Sequence, residues 1–400
     1  MAGSAFGLWA LLLVLPWQPW RNREVLEPID GAKAHYGDVT VLIPARDEVG
    51  VIAHTLKALA KQAPGIRVVL ADDGSTDGTA QVARSVRPLN LTVVAVGPLP
   101  LGWSGKLWAL EQGLKQVTTD KVLLLDADIQ LTPGMLAALL AKLEREKLDL
   151  VSIMAYLPTG GVWEKLLLPA FVYFFKLLYP FALANSEVRW IAAAAGGCIL
   201  TRTDVLKQCG AFLSLKDALI DDCTLAKQVK RRGYRTWIGL SHGVLSQRRY
   251  ACLGEIWEMV ARTAFTQLRY SLLLLGLCTG VMGLMAWAPI GALFSPKFWW
   301  LGAAALGMMV LSYSPILSFY RLSPLWGLTL PVIGTLYLLM TWHSALRYLR
   351  GERSRWKGRV YVKEKILEGK QTVDPIVGEP PAAAQRTQFD HECQREHSSP

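Results

Sequence analysis

Charged residues are scarce in this 400-residue chain, at 19% of the composition, where soluble proteins average about 25%. Hydrophobic residues reach 52%, and the long apolar runs lie near the two ends. This distribution excludes a wholly soluble chain and predicts an integral membrane protein with a soluble insert. The net charge of +11 is typical of cytoplasmic surfaces beside anionic lipid, and we expect no nucleic-acid partner.

Several catalytic and cofactor signatures are also absent. The six cysteines include no Cys-x-x-Cys pair, which argues against a zinc module or a disulfide framework and fits a reducing compartment. No Gly-x-Gly-x-x-Gly follows a predicted strand, so a dinucleotide oxidoreductase is disfavoured. Gly-x-Ser-x-Gly is missing, which argues against an α/β-hydrolase. Gly105-Lys106 lacks the remaining residues of a Walker phosphate loop.

The two ends of the chain carry the candidate membrane segments. Residues 1–20 are predicted to be an uncleaved anchor, because Arg21 and Arg23 follow the apolar stretch instead of preceding it. Prolines shorten this stretch, so a helix lying in the interface is the alternative. Residues 271–346 contain three apolar blocks, each with about the 20 residues that a crossing needs. Residues 347–400 are predicted to form a basic and then disordered tail.

Residues 37–250 are predicted to form an α/β domain. Four short β-branched runs, at 39–43, 67–71, 91–96 and 121–125, alternate with helical patterns. Such an alternation indicates a mostly parallel sheet, and sites in such sheets gather at the carboxyl ends of the strands. Residues 251–270 are predicted to form an interfacial helix. One aromatic-rich segment, Trp163–Leu183, fits either a buried core helix or a helix in the membrane interface.

The number of crossings is left open by the charge pattern. A first span followed by three more would place the basic tail outside, against the bias of basic residues towards the cytoplasm. Either one block does not cross fully, or the first segment lies in the interface.

Acidic residues follow the ends of three predicted strands and open one helix: Glu48, Asp72 and Asp73, Asp126 and Asp128, and Asp221 and Asp222. The Asp72–Asp73 pair can accept hydrogen bonds from a base or a ribose, whereas Gly74, Ser75 and Asp77 are explained by a turn and a helix cap.

Asp126 and Asp128 are two positions apart, and in an extended segment their side chains face the same way. Two close carboxylates are costly without a cation, and oxygen ligands suit Mg²⁺ or Mn²⁺. Asp221 is interpreted as a helix cap favoured by the helix dipole, and Asp222 beside it as a candidate general base.

Taken in order, these motifs resemble the family 2 glycosyltransferases, which have the GT-A fold. The residues that carry the resemblance are Val41–Glu48, Asp72–Thr79, Gly105–Leu110, Asp126–Asp128, Gly196–Gly197 and Asp221–Asp222, all within residues 39–250. The apolar flanks and Arg355–Tyr361 are similar to the membrane-bound subset near ceramide glucosyltransferases, and Gly254–Ser271 is similar to hopene-associated glycosyltransferases.

The resemblance implies a role for each of these residues. Glu48, Asp72 and Asp73 would contact the nucleotide, and Lys106 would lie near its base or ribose. Asp126 would contact the nucleotide sugar and, with Asp128, the metal. Gly196 and Gly197 would let the acceptor approach closely. Asp222 would be the catalytic base, with Asp221 as the first acid of the pair.

One motif of the family is not intact. The Gln-x-x-Arg-Trp sequence is absent, which leaves the diphosphate-binding residue open. The candidates are Gln247–Tyr250, Arg262, Gln267 and Arg269.

The resemblance therefore implies a multi-pass protein of the inner, cytoplasmic membrane with its catalytic domain in the cytoplasm. It would be an inverting, metal-dependent enzyme that moves a sugar from a nucleotide diphosphate sugar to a membrane lipid, with a hopanoid-related lipid among the expected acceptors. Two alternatives stay open. A processive polysaccharide synthase usually has more spans and an intact Gln-x-x-Arg-Trp. A non-catalytic transporter or scaffold with a degenerate domain would tend to carry internal repeats or charges within its spans.

Overall fold

The computed structural model describes residues 1–29, 36–87, 89–216, 220–356 and 359–362. They divide into two units. The sheet unit comprises Val14–Pro158 and Phe171–Arg248, and the helical unit comprises Met1–Leu13, Thr159–Ala170 and the chain from Arg249 onward. The predicted domain limits stay a prediction, and the predicted disorder beyond residue 370 falls outside the described residues.

The chain begins with a short helix, α1 (Ala2–Val14), and the sheet unit then builds one eight-stranded sheet. Its strands are β1 (Val39–Ala45), β2 (Arg67–Asp72), β3 (Asn90–Ala95), β4 (Lys121–Leu125), β5 (Ile129–Leu131), β6 (Leu150–Tyr156), β7 (Cys198–Arg202) and β8 (Thr236–Ser246). The spatial order is β3-β2-β1-β4-β7-β6-β8-β5. Strands β3, β2, β1 and β4 run parallel, β6 pairs with β8 in parallel, and β7 and β5 pair antiparallel with their neighbours. The predicted α/β fold with a mostly parallel sheet is confirmed.

Helices cover both faces of this sheet. On one face lie α2 (Val49–Gln62), α3 (Thr79–Ser85) and α5 (Met135–Arg145), and on the other α4 (Gly105–Leu114), α8 (Thr203–Gln208) and α9 (Asp221–Arg231). Helices α6 (Val162–Leu178) and α7 (Phe181–Ala184) follow β6 in the chain. Side chains alternate along β1, so they contribute to an apolar core on each face of the sheet. Val41 and Ile43 belong to one cluster and Leu42 to the other. Every residue of β1 is buried, as expected for a central strand of a parallel sheet.

The linker after α1 is part of the sheet unit, which the sequence pattern did not indicate. Val25 forms a parallel bridge with Leu240 in β8, and the Leu26 N–H donates to the Leu240 carbonyl at 2.9 Å. Lys176 of α6 is 1% exposed and donates to the Asn22 side-chain oxygen at 2.6 Å and to the Arg21 carbonyl. This buried polar tie supports the core-helix alternative for the second half of α6.

The helical unit contains the candidate membrane spans. After α10 (Leu253–Ala261) and α11 (Ala264–Gln267) come α12 (Leu272–Leu293), α13 (Trp299–Phe319) and α14 (Leu330–Leu349), followed by the short strands β9 (Glu352–Trp356) and β10 (Arg359–Val362). Three segments among the described residues are long and apolar enough to cross a membrane: Leu272–Leu293, Trp299–Phe319 and Pro324–Leu349. The three predicted apolar blocks at 271–346 are confirmed as helices of spanning length.

Helix α1 is much shorter than these three. Its 13 residues cover about 20 Å, less than the roughly 30 Å of a bilayer's hydrocarbon core. The Trp9 indole donates to the Met285 carbonyl of α12 at 3.0 Å. The length supports the interfacial alternative for the first segment, and a full crossing there stays a prediction.

Candidate functional site

Three of the predicted acids and one lysine meet at the carboxyl end of β4. Lys106 stands in the first turn of α4, and its ammonium lies 2.6 Å from an oxygen of Asp126, which directly follows β4. Lys106, Asp126, Gly196, Asp221 and Asp222 line one pocket. The structure therefore brings Lys106 among the acids, next to the residues for which catalytic roles were expected.

The Asp222 carboxylate is held by two backbone donors. One oxygen accepts the Gly196 N–H at 2.8 Å, and the other accepts the N–H of Cys223 at 2.7 Å in the first turn of α9. A Cβ at position 196 would lie 3.3 Å from the Asp222 oxygen and 3.4 Å from the Lys106 nitrogen. Glycine at this position therefore lets the backbone, the carboxylate and the ammonium meet.

Burial and neighbouring charges shift the pKa values of these groups. Burial, reinforced by the Asp221 carboxylate, raises the pKa of Asp222 to about 6. Burial alone would lower the pKa of Lys106, but the carboxylates of Asp126, Asp221 and Asp222 hold that pKa above its ordinary value. At neutral pH the pocket therefore holds an ionised Asp222, ready to accept a proton, beside a permanent cation.

The other described residues that line the pocket are apolar. They are Pro44, Leu107, Leu110, Leu124, Leu125, Ile199, Phe212, Leu215 and Leu225. Such walls keep the local dielectric low, so each charge at the rim acts more strongly than it would in water. The pocket can bind a group that carries negative charge and can remove a proton from a neighbouring hydroxyl.

The predicted nucleotide-binding acids lie on two loops that are bonded to each other. Asp72 accepts the Ser75 N–H at 3.2 Å and is half-buried at the end of β2. Asp73 is only 2% exposed, and Arg46 lies 3.7 Å from its carboxylate and donates to its carbonyl at 2.8 Å. The nucleotide contact of Asp73 stays a prediction, and Arg46 is a partner that the sequence reasoning missed.

Asp77 joins these loops by capping two helices at once. Its carboxylate accepts the N–H of Val49 in α2 at 2.9 Å and the N–H of Thr79 in α3 at 2.9 Å. The Thr79 hydroxyl in turn accepts the Glu48 N–H at 2.8 Å. The sequence indicated a local cap, but the bond to the neighbouring helix could not be read from it. These contacts fix the backbone that carries Glu48.

The acids expected to hold a metal differ in their surroundings. The segment from Asp126 to Asp128 is a turn, closed by the Ile129 N–H on the Asp126 carbonyl at 3.0 Å, and not the extended segment expected from the spacing. Asp126 is bound to Lys106. The pKa of Asp128 is raised by burial and by the nearby Glu48 carboxylate. The positive charges of Lys106 and Arg248 offset this rise in pKa only in part.

This imbalance fits a divalent cation at Asp128. Among the residues that the structure describes, no three His, Cys, Asp or Glu side chains are grouped to hold a metal by themselves. Mg²⁺ and Mn²⁺ are commonly held by one or two carboxylates together with substrate phosphates. Asp128 suits such a site as an oxygen donor, with Glu48 close by.

The residues that could bind the diphosphate in place of the Gln-x-x-Arg-Trp motif belong to different units. Arg262, Gln267 and Arg269 belong to the helical unit, where Arg262 and Arg269 are exposed. Gln247 belongs to the sheet unit, and its N–H donates to the Asp128 carbonyl at 2.9 Å. Arg248 follows it, and its positive charge opposes the rise in the pKa of Asp128.

Comparison with known proteins identifies the part of the chain that carries Glu48, Lys106, Asp126, Asp128 and Gly196, and it ends before Asp221 and Asp222. Residues 40–210 match the family described as "Glycosyl transferase family 2". The chain therefore contains a family 2 glycosyltransferase domain, as predicted. The likeness to hopene-associated and ceramide enzymes in particular stays a prediction.

Curated relatives align over a shorter stretch. A 4,4'-diaponeurosporenoate glycosyltransferase of Staphylococcus aureus strain USA300 is 40% identical over 92 residues, which is 23% of this chain and 24% of that protein. The enzyme from the bovine strain RF122 is 38% identical over 96 residues, 24% of this chain and 25% of that protein. The alignment thus spans about a quarter of the length of these relatives.

A solved structure supports the fold. The mannosyltransferase PcManGT from Pyrobaculum calidifontis, determined in complex with GDP-Man and Mn²⁺, superposes with a TM-score of 0.51 at 18% identity. The match covers 87% of this chain and 96% of that protein. Together with the family match and the strand order, it confirms the predicted GT-A fold.

The double cap at Asp77 makes a testable prediction. Burial alone would raise the pKa of Asp77, but hydrogen bonds from Thr79 and Val49 hold it below its ordinary value of 3.8. Because folding lowers this pKa, the ionised Asp77 cap stabilises the fold fully above its ordinary pKa. This stabilisation is lost as the pH falls through the lower pKa of the folded state. We expect Asp77→Ala to lower the free energy of unfolding at pH 7 by about 1–2 kcal/mol.

Denaturant unfolding in detergent measures this change. Asp77→Asn keeps one acceptor oxygen and should lose less, and Asp38→Ala, at the exposed residue before β1, is the matched control. Equal stability of Asp77→Ala and Asp38→Ala would contradict the double cap.

Proposed function

We propose that this protein is a membrane-bound, inverting glycosyltransferase that moves a sugar from a nucleoside diphosphate sugar to a lipid acceptor. The family 2 domain supports transfer, and the three apolar helices support a membrane-associated enzyme. The observation that carries the proposal is Asp222, which is ionised near neutrality, fixed by two backbone N–H groups and set in a pocket with Lys106.

Asp222 acts as the general base. Each of its oxygens accepts one backbone N–H and keeps a further lone pair for the acceptor proton. The proton leaves the acceptor hydroxyl as that oxygen attacks the anomeric carbon, and the nucleoside diphosphate departs from the opposite face. A pKa of about 6 keeps Asp222 ionised at neutral pH and basic enough to accept the proton.

The other acids hold the donor. Glu48, Asp72 and Asp73 would contact the nucleotide, and the Lys106–Asp126 pair would face the sugar diphosphate. We assign the diphosphate contact to Arg248 in place of Arg262, Gln267 and Arg269, because Gln247 beside it is bonded to Asp128. Asp128 would hold Mg²⁺ or Mn²⁺, which would neutralise charge on the departing diphosphate. Gly196 and Gly197 leave room for the acceptor.

The acceptor is proposed to be an apolar lipid of the bilayer. The name of the Staphylococcus aureus relative indicates diaponeurosporenoate as its acceptor, and a carotenoid acid of that kind would lie in a membrane. A hopanoid-related lipid is an acceptor of similar apolar character. We place the enzyme in the cytoplasmic membrane, with the domain at residues 37–250 in the cytoplasm, where nucleotide sugars are made.

The two acids at the start of α9 are separated by their effects on rate and on pH dependence. Asp222→Asn should retain donor binding and lose roughly 10²–10⁴-fold in kcat, because the proton acceptor is gone. Wild-type kcat should rise with pH through about 6, where Asp222 ionises. Asp221→Asn should remain active with this limb shifted to lower pH, because a like charge next to Asp222 has been removed.

Sugar transfer measured between pH 5 and 8, with donor affinity measured separately, tests both variants. If Asp222→Asn were active and Asp221→Asn inactive, the base would be Asp221 and our assignment to Asp222 would be wrong.

A divalent-metal requirement follows from Asp128. EDTA should abolish transfer, and Mn²⁺ or Mg²⁺ should restore it. Electron paramagnetic resonance should detect Mn²⁺ bound to wild type in the presence of a nucleoside diphosphate and not to Asp128→Asn. The matched control is Asp120→Asn, at the exposed acid that precedes the same strand. Full activity of Asp128→Asn after removal of metal would refute the assignment.

The acceptor class is tested with a matched pair of alcohols. We expect transfer from a panel of nucleotide sugars to a long-chain terpenoid alcohol in liposomes, and little transfer to a short water-soluble alcohol with the same reacting group. Burial of the tail in the bilayer avoids its desolvation cost, at about 0.8 kcal/mol for each CH₂. The Asp222→Asn protein supplies the blank. Preference for the soluble alcohol would overturn the lipid assignment, and elongation of a polymer would favour a polysaccharide synthase.

A further inference from the structure

Helix α9 carries a buried lysine that the reaction does not use. Lys230 is 4% exposed, and its ammonium donates to the carbonyls of Ala184 at 2.6 Å, Ile191 at 2.8 Å and Leu183 at 3.3 Å. A lysine ammonium has three N–H groups, so these contacts employ all of them. The Lys230 ammonium thus binds carbonyls from a single stretch of backbone, residues 183–191.

The continuation of that stretch reaches the other end of the same helix. Gly196 donates to Asp222, which lies eight residues before Lys230 and therefore about 12 Å away along the helix axis. The chain from Leu183 to Gly196, here called the strap, is bonded to α9 at both ends. Its second bond is the one that orients the proposed base.

Other contacts restrain the strap without replacing Lys230. Asn185 exchanges two hydrogen bonds with Ile238 of β8, at 2.7 and 2.9 Å, and the Ala195 N–H donates to the Ser152 hydroxyl at 2.8 Å. Between these points the strap exposes Trp190, which is 74% accessible. Lys230 joins carbonyls on both sides of this exposed part, so it closes the loop on itself as well as onto α9.

The position of Lys230 at a helix end does not account for these bonds. Basic residues near a helix C-terminus ordinarily interact with the helix dipole from the solvent, and Arg231 and Arg232 are exposed there. Lys230 is buried instead, and its three acceptors lie outside α9. Burying an ammonium is costly unless its donors are satisfied, and the strap provides the acceptors.

We propose that Lys230 is a positioning residue that fixes the strap against α9, so that Gly196 orients Asp222 and the acceptor meets a preformed wall. This inference rests on the proposed function for its kinetic part and stands on the contacts alone for its structural part. Loss of the ammonium loosens the strap while the donor-binding loops at 44–49 and 72–79 keep their bonds.

The test compares two lysines on one helix. Lys230→Met keeps the length of the side chain and removes its charge and donors, and Lys227→Met makes the same change at the partly exposed Lys227. We expect Lys230→Met to lose roughly 10- to 100-fold in kcat/KM for the acceptor through misplacement of Gly196 and Asp222, with the donor KM unchanged. Lys227→Met should match wild type, and Lys230→Arg should recover part of the loss.

Hydrogen exchange followed by mass spectrometry gives a readout that does not depend on turnover. Peptides covering residues 181–197 should exchange faster in Lys230→Met than in wild type or Lys227→Met, with peptides covering 39–79 unchanged. Unchanged exchange at 181–197 would overturn the inference even if transfer is observed. Faster exchange in Lys230→Met, together with no sugar transfer by the wild-type protein, would support the role of Lys230 in holding the strap and would count against the proposed function. A uniform rise in exchange, or equal loss for donor and acceptor, would assign Lys230 a general structural role and also overturn the inference.

Discussion

The contact between Lys106 and Asp126 is the interaction on which the pocket depends. Carboxylates from two parts of the chain, Asp126 after β4 and the pair at the start of α9, share a cavity with apolar walls. Ionised groups in such surroundings are costly unless they are paired. Lys106 lies 2.6 Å from Asp126 and within the field of Asp221 and Asp222, so its ammonium offsets charge that the sequence places there from both directions. Gly196 eases this approach, because a Cβ at that position would press against both Asp222 and Lys106.

Much of the fold could be predicted from local patterns. The β-branched runs of the parallel strands, the spacing of the helices between them and the three apolar blocks all depend on neighbouring residues, and their positions agree with the structure within a few residues. The acids of the candidate site were also found, because strand ends in a parallel sheet share one edge. The exception was the segment from Asp126 to Asp128, where a spacing typical of a strand belongs to a turn.

What could not be predicted are the partners that lie far apart in sequence. Arg46 bonds to Asp73, Asp77 caps the helix of a neighbouring loop, and Lys230 binds a strap about 40 residues upstream. None of these residues has a local signal beyond an ordinary charge or cap, since the partner is brought in by the tertiary fold. The aromatic segment at 163–183 was ambiguous for a related reason: apolar composition suits a core and an interface alike. The buried bonds of Lys176 distinguish the two for the second half of α6.

Lys106 in the pocket and Lys230 on α9 illustrate how the charge of the partner decides the effect of burial on the pKa. Burial disfavours the charged form of both. For Lys106 the nearby carboxylates outweigh that effect and raise the pKa. Among the described residues the Lys230 ammonium donates to neutral carbonyls, and burial lowers its pKa to about 8. A carbonyl dipole satisfies the donors of an ammonium but returns less electrostatic energy than a full negative charge. Lys106 is therefore suited to stay charged beside a reacting anion, and Lys230 to hold backbone in place. Lysine thus has two uses here: Lys106 provides a positive charge near Gly196, at one end of the strap, and Lys230 fixes the backbone at the other end.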